Sequence, residues 1–190
     1  MMGREHDRRA AIAQAQIELN KKPIYLDTET TGLKDTDQIV EICLLEHDGS
    51  IALQSLVKPT GKIPPDATRV HHITDAMVST APAWPELWPQ LEAILTTRRI
   101  AIYNAEYDLR LLKQSHTAHG LSWSASLSSL CIMKLYAQFR GDWNSRAGNY
   151  RWYSLDDARA QCGLNLPNAH RAQADTLLAR AVLHYVAAQR

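Results

Sequence analysis

Asp27 and Glu29 stand two residues apart, just after the apolar run Ile24-Tyr25-Leu26. On a strand, alternate side chains leave the same face, so both carboxylates would point one way with Cα atoms roughly 6.5 Å apart. The C-terminal end of a strand is where open α/β sheets place their ligands. A solvated Thr-rich turn would read the same way, because Asp-Thr-Glu is a short and common pattern. Two further acids lie on apolar helical stripes. Asp108 is followed by Leu111, Leu112 and Ser115, and Asp175 by Leu178, Val182 and Tyr185, at spacings that share one helix face. A buried carboxylate without a partner costs several kcal/mol, so each needs a cation or a place at the end of its stripe. Arg171 and Arg180 are candidate partners. Taken together, the three elements deliver four acids toward one sheet. Their mutual repulsion would raise some pKa values, and two divalent ions would offset a charge of about −4. Oxygen ligands alone suit Mg²⁺ or Mn²⁺ and disfavour zinc.

The elements that must carry these groups follow from periodicity. Residues 9–20 hold Ile12, Ala15 and Leu19 at helical spacing and end before Pro23. Strands are expected at 24–28, 38–47 and 51–57, the last two joined by the hairpin signal His47-Asp48-Gly49-Ser50. A proline-marked loop at 59–65 leads to a short helix near 74–78 and another at 84–95. A fourth strand at 99–103 runs into a helix that Asn104 would cap and Gly120 would end. Helices then follow around 130–139, at 154–161 and at 169–188, with a polar loop at 141–150. The order β-β-β-α-β-α-α-α describes an α/β domain with a mixed sheet, antiparallel on one side and parallel on the other, and helices on both faces.

A chain of 190 residues is long enough for one self-sufficient core. A formal charge of +1 confines any nucleic-acid contact to local patches. The three cysteines, Cys43, Cys131 and Cys162, form no C-x-x-C pair, so neither a disulfide framework nor a zinc site is indicated. With no apolar N-terminal segment and no span-length apolar stretch, a cytoplasmic protein is expected, without membrane association.

Three blocks resemble the DEDDh group of 3′-to-5′ exonucleases: 25–33 (Tyr-Leu-Asp-Thr-Glu-Thr-Thr-Gly-Leu), 103–108 (Tyr-Asn-Ala-Glu-Tyr-Asp) and 170–175 (His-Arg-Ala-Gln-Ala-Asp). The segments 37–42 and 70–74 between them are also similar to the family. His170 stands five before Asp175, and Arg171 occupies the place where the tyrosine subgroup carries its tyrosine, so the histidine subgroup is the match. Tyr103 and Ser128-Ser129-Leu130 depart from residues common in that group, with consequences for substrate fit. The resemblance implies a ribonuclease H-like mixed sheet of about five strands, with a helical extension at 1–22 and the exonuclease domain at 23–190.

It also implies a mechanism. Asp27 would bridge two Mg²⁺ or Mn²⁺ ions roughly 4 Å apart. Glu29 and Asp175 would complete one site, Asp108 would serve the other, and His170 would take the proton of the attacking water, releasing nucleoside 5′-monophosphates. Thr28, Thr30, Leu33 and His72 are the expected substrate contacts, whereas His47, His71 and His116 read as structural or solvent-exposed. Trp84, Trp88, Trp123, Trp143 and Trp152 could stack bases, with core or lid packing the expectation for most; Trp143 and Trp152, beside Arg146 and Arg151, suit guidance of a strand. The partner is the 3′ end of a nucleic acid, DNA preferred to RNA, although no residue here reads a 2′-hydroxyl. An oligoribonuclease of the same family is the enzymatic alternative, and a non-catalytic or polymerase-associated binding module is the other. The complete set of five site residues argues for the enzyme.

Overall fold

The computed structural model describes residues 2–167 and 169–190. A five-stranded sheet runs in the order β3-β2-β1-β4-β5, with β1 at Ile24–Thr30, β2 at Ile39–Leu45, β3 at Ile51–Leu56, β4 at Arg99–Ile102 and β5 at Ser128–Cys131. The β1–β2 and β2–β3 pairs are antiparallel, and the β1–β4 and β4–β5 pairs are parallel. This is the mixed ribonuclease H-like sheet. The expected hairpin is present at the β2–β3 turn, where Gly49 has φ 95° and Asp48 accepts from the Ser50 amide at 2.9 Å.

Strand alternation divides the core. Tyr25, Cys43, Leu45 and Ala101 face one side and pack beneath α1 (Met2–Asn20), α6 (Ile132–Arg140) and α8 (Ala172–Ala187). Ile24, Leu26, Ile42, Leu44, Ile100 and Ile102 face the other, beneath α4 (Trp84–Leu95) and α5 (Ala105–Ala118). By the same alternation Asp27 and Glu29 share the Tyr25 side and look toward α8. The two acid-led stripes are buried as their spacing requires: Asp108 with Leu111, Leu112 and Ser115, and Asp175 with Leu178 and Val182.

Several elements differ from expectation. The fifth strand that the resemblance implies is β5, just before α6; periodicity missed it because four residues beginning Ser-Ser carry too little apolar signal to mark a strand on their own. A helix α2, Pro65–His71, begins inside the proline-marked segment, with Pro65 at its first position, where a missing amide hydrogen costs nothing. It is followed by α3 at Asp75–Val78. Asn104 stands at the N-cap of α5 but makes no side-chain cap bond. After α6, the polar segment folds into a small ribbon, β6 (Trp143–Asn144) against β7 (Asn149–Tyr150), and α7 spans Leu155–Gln161. Helix α8 starts three residues later than the pattern suggests, because His170 adopts φ 46° and interrupts helical geometry. The three cysteines are unpaired. Among the described residues, no helix is long and apolar enough to cross a membrane.

Candidate active site

Single oxygens of Asp27, Glu29 and Asp175 all lie within 4.8 Å of one another. Asp27 and Glu29 reach this point from β1, and Asp175 from the first turn of α8, which is packed on that sheet face. The three open into a cavity of about 760 Å³ that Asp108, His170, Thr28, Leu33 and Tyr107 also line. Asp108 arrives from α5 on the opposite side of β1, where the Thr28 hydroxyl donates to its Oδ1 at 2.8 Å. The sequence-predicted set therefore converges on one cavity from three elements.

The carboxylates repel one another out of water. Burial, followed by the charges of Asp108, Glu29 and Asp175, holds the Asp27 carboxyl well above the usual carboxylate range. Burial and then Asp175 and Glu41 push Glu29 up to about 8. Burial raises Asp108 to about 7 against the opposing Thr28 hydrogen bond. Asp175 is also raised by burial, with the neighbouring His170 acting in the opposite sense. Hard oxygen ligands held this close together fit a divalent cation.

A fifth acid escaped the sequence reading. Glu41 on β2 is paired in register with Glu29 and is 2% exposed. Its carboxylate accepts from Arg171 Nε at 3.0 Å, from Arg171 Nη2 at 2.7 Å and from the Ala172 amide at 3.0 Å. Arg171, considered above as a partner for Asp175, thus serves Glu41. The other candidate, Arg180, donates to the His47 carbonyl. The only cue to Glu41 was a carboxylate inside an otherwise apolar strand. The Glu41–Arg171 pair clamps the start of α8 and the residue next to His170.

The rim after β1 is equally constrained. Asp37 accepts from the Thr31 hydroxyl at 2.8 Å and from the Lys34 amide at 2.6 Å, closing the loop that presents Leu33. A Cβ at Gly32 would meet Asp37 Oδ2 at 2.7 Å, so this close approach requires glycine. Leu33, 80% exposed, stands between the acid-lined cavity and a second one of about 670 Å³. The Thr30 and Tyr107 hydroxyls lie 2.7 Å apart, and each reaches the Gly32 carbonyl at 2.9 Å. His72 lines neither cavity; it caps α2 in the left-handed region with φ 61°. The adjacent His71 lines the second cavity, accepting from the Ile73 amide at 3.0 Å and donating from Nε2 to the Thr30 carbonyl at 3.1 Å. Trp84 and Trp88 are buried against His116, whose Nδ1 accepts from Trp84 Nε1 at 2.9 Å, and Trp123 packs on the same ring. Trp143 and Trp152 are exposed.

The sheet order and the carboxylate cluster are those expected of a metal-dependent nuclease of ribonuclease H-like fold. Comparison with known proteins narrows this class. The RNase T family model, described as exonuclease, matches residues 24–183, and the chain belongs to that family. It is 40% identical over 185 residues to the uncharacterized exonuclease CP81 of Escherichia phage 186, covering 94% of this chain and 95% of that protein. It is 32% identical over 153 residues to the DNA polymerase III subunit epsilon of Treponema pallidum (strain Nichols), covering 78% and 68% of the two chains. Among solved structures, exonuclease X in complex with 5′ overhanging duplex DNA superimposes with a TM-score of 0.64 at 27% identity, covering 86% of this chain and 89% of that one. The protein is accordingly an enzyme of the 3′-to-5′ exonuclease class.

Proposed function

We propose that this enzyme removes nucleotides one at a time from the 3′ end of DNA, using two Mg²⁺ or Mn²⁺ ions and His170 as the general base. One observation carries the reading: oxygens of Asp27, Glu29 and Asp175 within 4.8 Å of one another, in a cavity that Asp108 and His170 also line. Asp27, Glu29 and Asp175 would hold one ion, and Asp108 with Asp27 the other. Bound divalent ions supply positive charge against the scissile phosphate and the departing 3′ oxygen. His170 takes the proton of the attacking water; the new phosphorus–oxygen bond forms as the bond to the 3′ oxygen breaks. The products are a nucleoside 5′-monophosphate and a shortened strand with a new 3′-hydroxyl. Thr28 orients the Asp108 carboxylate, while Leu33 and Thr30 would meet the terminal nucleotide where the two cavities adjoin. The choice of DNA is supported by the likeness to exonuclease X, whose structure holds duplex DNA.

Digestion of 5′-labelled single-stranded DNA, frayed duplex DNA and RNA with Mg²⁺, with Mn²⁺ and with EDTA tests this reading. Stepwise shortening of DNA that disappears in EDTA and in Asp27→Asn is expected. Full activity in that variant, metal-independent cleavage, or a preference for RNA would overturn the corresponding part.

A further inference from the structure

Helix α1 lies outside the segment matched by the family model, which begins at residue 24. It nevertheless contributes most of a groove of about 490 Å³ lined by Arg4, Arg8 and Arg9 from α1, Arg140 from the end of α6, and Arg190. Glu5 is the one acid in the lining, and it is paired with Arg9 at 2.6 Å. Arg4 and Arg8 are one helical turn apart, so they share a face. The Arg8 guanidinium lies 3.9 Å from the centre of the Phe139 ring. Among the described residues, Arg4, Arg140 and Arg190 have no carboxylate partner within ion-pair distance. In a chain of net charge +1, this is a concentrated basic surface.

Tyr153, itself buried, packs between residues of the groove and residues of the catalytic cavity. The guanidinium carbons of Arg140 and Arg151 lie 5.8 and 5.3 Å from the centre of its ring. Its carbonyl, like that of Ser154, accepts from the Tyr103 hydroxyl at 3.0 Å, and both Tyr103 and Ser154 line the catalytic cavity. Trp152 and Trp143, in and beside the ribbon, are 51% and 54% exposed, and Trp143 packs on Tyr150. Tyr150 of the ribbon stands beside Asp7 of α1, whose carboxylate raises the phenol above its ordinary range. Cations in series with exposed aromatic rings, leading away from a cavity built for phosphodiester cleavage, match the requirements of a polynucleotide: charge for its phosphates and flat surfaces for its bases.

We infer that α1, the end of α6 and the β6–β7 ribbon form a track that binds the phosphate backbone of the substrate strand upstream of the 3′ end held in the catalytic cavity. The inference rests on the nuclease reading for its ligand, yet binding and cleavage are separable. The test uses the full chain and fluorescein-labelled single-stranded DNAs about 4 and about 20 nucleotides long, short and long relative to one binding site. Anisotropy is followed in EDTA from about 50 to about 300 mM NaCl. In Arg4→Gln/Arg8→Gln/Arg140→Gln, affinity for the longer DNA should fall about tenfold at ~0.1 M salt, and the log–log salt slope should shrink by about 2, at roughly 0.7 per lost phosphate contact. The short DNA should bind as to the wild type. Glu5→Lys should tighten the longer DNA about threefold by adding a phosphate contact, a gain that misfolding would not produce.

Unchanged binding of the longer DNA in both variants, or equal loss on both lengths, overturns the track. Cleavage of the short DNA with Mg²⁺ separates this from the catalytic proposal. A wild-type protein that binds the longer DNA with the expected slope but cleaves neither substrate retains the track and loses the nuclease reading; normal cleavage of the short DNA with unaltered binding of the longer one does the reverse.

Discussion

Replacing Glu29 with glutamine should abolish hydrolysis and yet make the metal-free protein more stable. Glu29 has its carboxyl raised from 4.5 to about 8 by burial and by the charges of Asp175 and Glu41. Because the folded pKa lies above the unfolded one, the folded state holds a proton that the unfolded chain releases over this interval. Stability therefore falls as pH rises from about 4.5 toward about 8. At about 1.4 kcal/mol per pKa unit, the two values set a penalty of about 4 kcal/mol at pH 8 and less than about 1 kcal/mol at pH 5. Four carboxylates share this repulsion and need not all ionise together, and the substituted amide must still be buried. The net gain for Glu29→Gln is then about 2 kcal/mol at pH 8. For a chain of this size that is a rise of about 4 to 8 °C in melting temperature. The assay is a thermal melt in EDTA at about pH 5 and about pH 8. Saturating Mg²⁺ should invert the order, because the wild type binds the ion and the variant binds it weakly. A variant that melts at or below the wild type at the higher pH without metal, or that keeps the same advantage at both pH values, refutes the reasoning.

The Glu41–Arg171 pair should respond asymmetrically. Arg171→Met strands a carboxylate that is 2% exposed and should cost about 3 to 5 kcal/mol. Glu41→Gln leaves a guanidinium side chain that is 40% exposed to water and should cost about 1 to 2 kcal/mol; equal losses in urea unfolding would contradict this placement. Thr28→Val deletes the 2.8 Å hydrogen bond that opposes the rise of the Asp108 carboxyl to about 7. The Mg²⁺ concentration for half-maximal activity should rise about tenfold near neutral pH and less so above about pH 8.5, because a higher Asp108 pKa sets protons against metal. An increase independent of pH would count against that competition. Mn²⁺ at about 100 times its dissociation constant should add about 2.7 kcal/mol to wild-type stability. Asp175→Ala, lacking one corner of the cluster, should show little of that response in the same melt, and a full response would place the ion elsewhere.

The sheet and the acid cluster were legible in the sequence for different reasons. Asp27 and Glu29 share a face because strand side chains alternate, and Asp108 and Asp175 point inward because each begins an apolar stripe; both are local periodicities. Contacts between distant elements were not legible. Glu41 could be recognised as a buried acid in the strand Ile39–Leu45, but its partner Arg171 is 130 residues away and equally well placed in sequence to serve Asp175. Strand β5 was hidden because its identity comes from pairing with β4 and two of its four residues are serines. Adjacent histidines offered no pattern to say which turns inward. His71 does so because it is the last residue of α2, while His72 already occupies the left-handed cap.

The same geometry explains why this arrangement survives folding. Asp27, Glu29, Glu41, Asp108 and Asp175 surround the end of β1, and Arg171 forms a direct ion pair with Glu41. Placing that cation on Glu41, the acid directed toward the start of α8, fixes the helix carrying Asp175 and the residue beside His170. It leaves Asp27, Glu29 and Asp175 with their mutual repulsion only partly relieved. An arginine directed into the cluster itself would stabilise the metal-free fold, but it would also occupy the space and neutralise the charge that recruit a divalent ion. The surplus negative charge is therefore a cost to the empty protein that becomes metal affinity in the loaded one. Glu29→Gln and Asp175→Ala test the two sides of that exchange separately: the first by what is gained without metal, the second by what is lost with it.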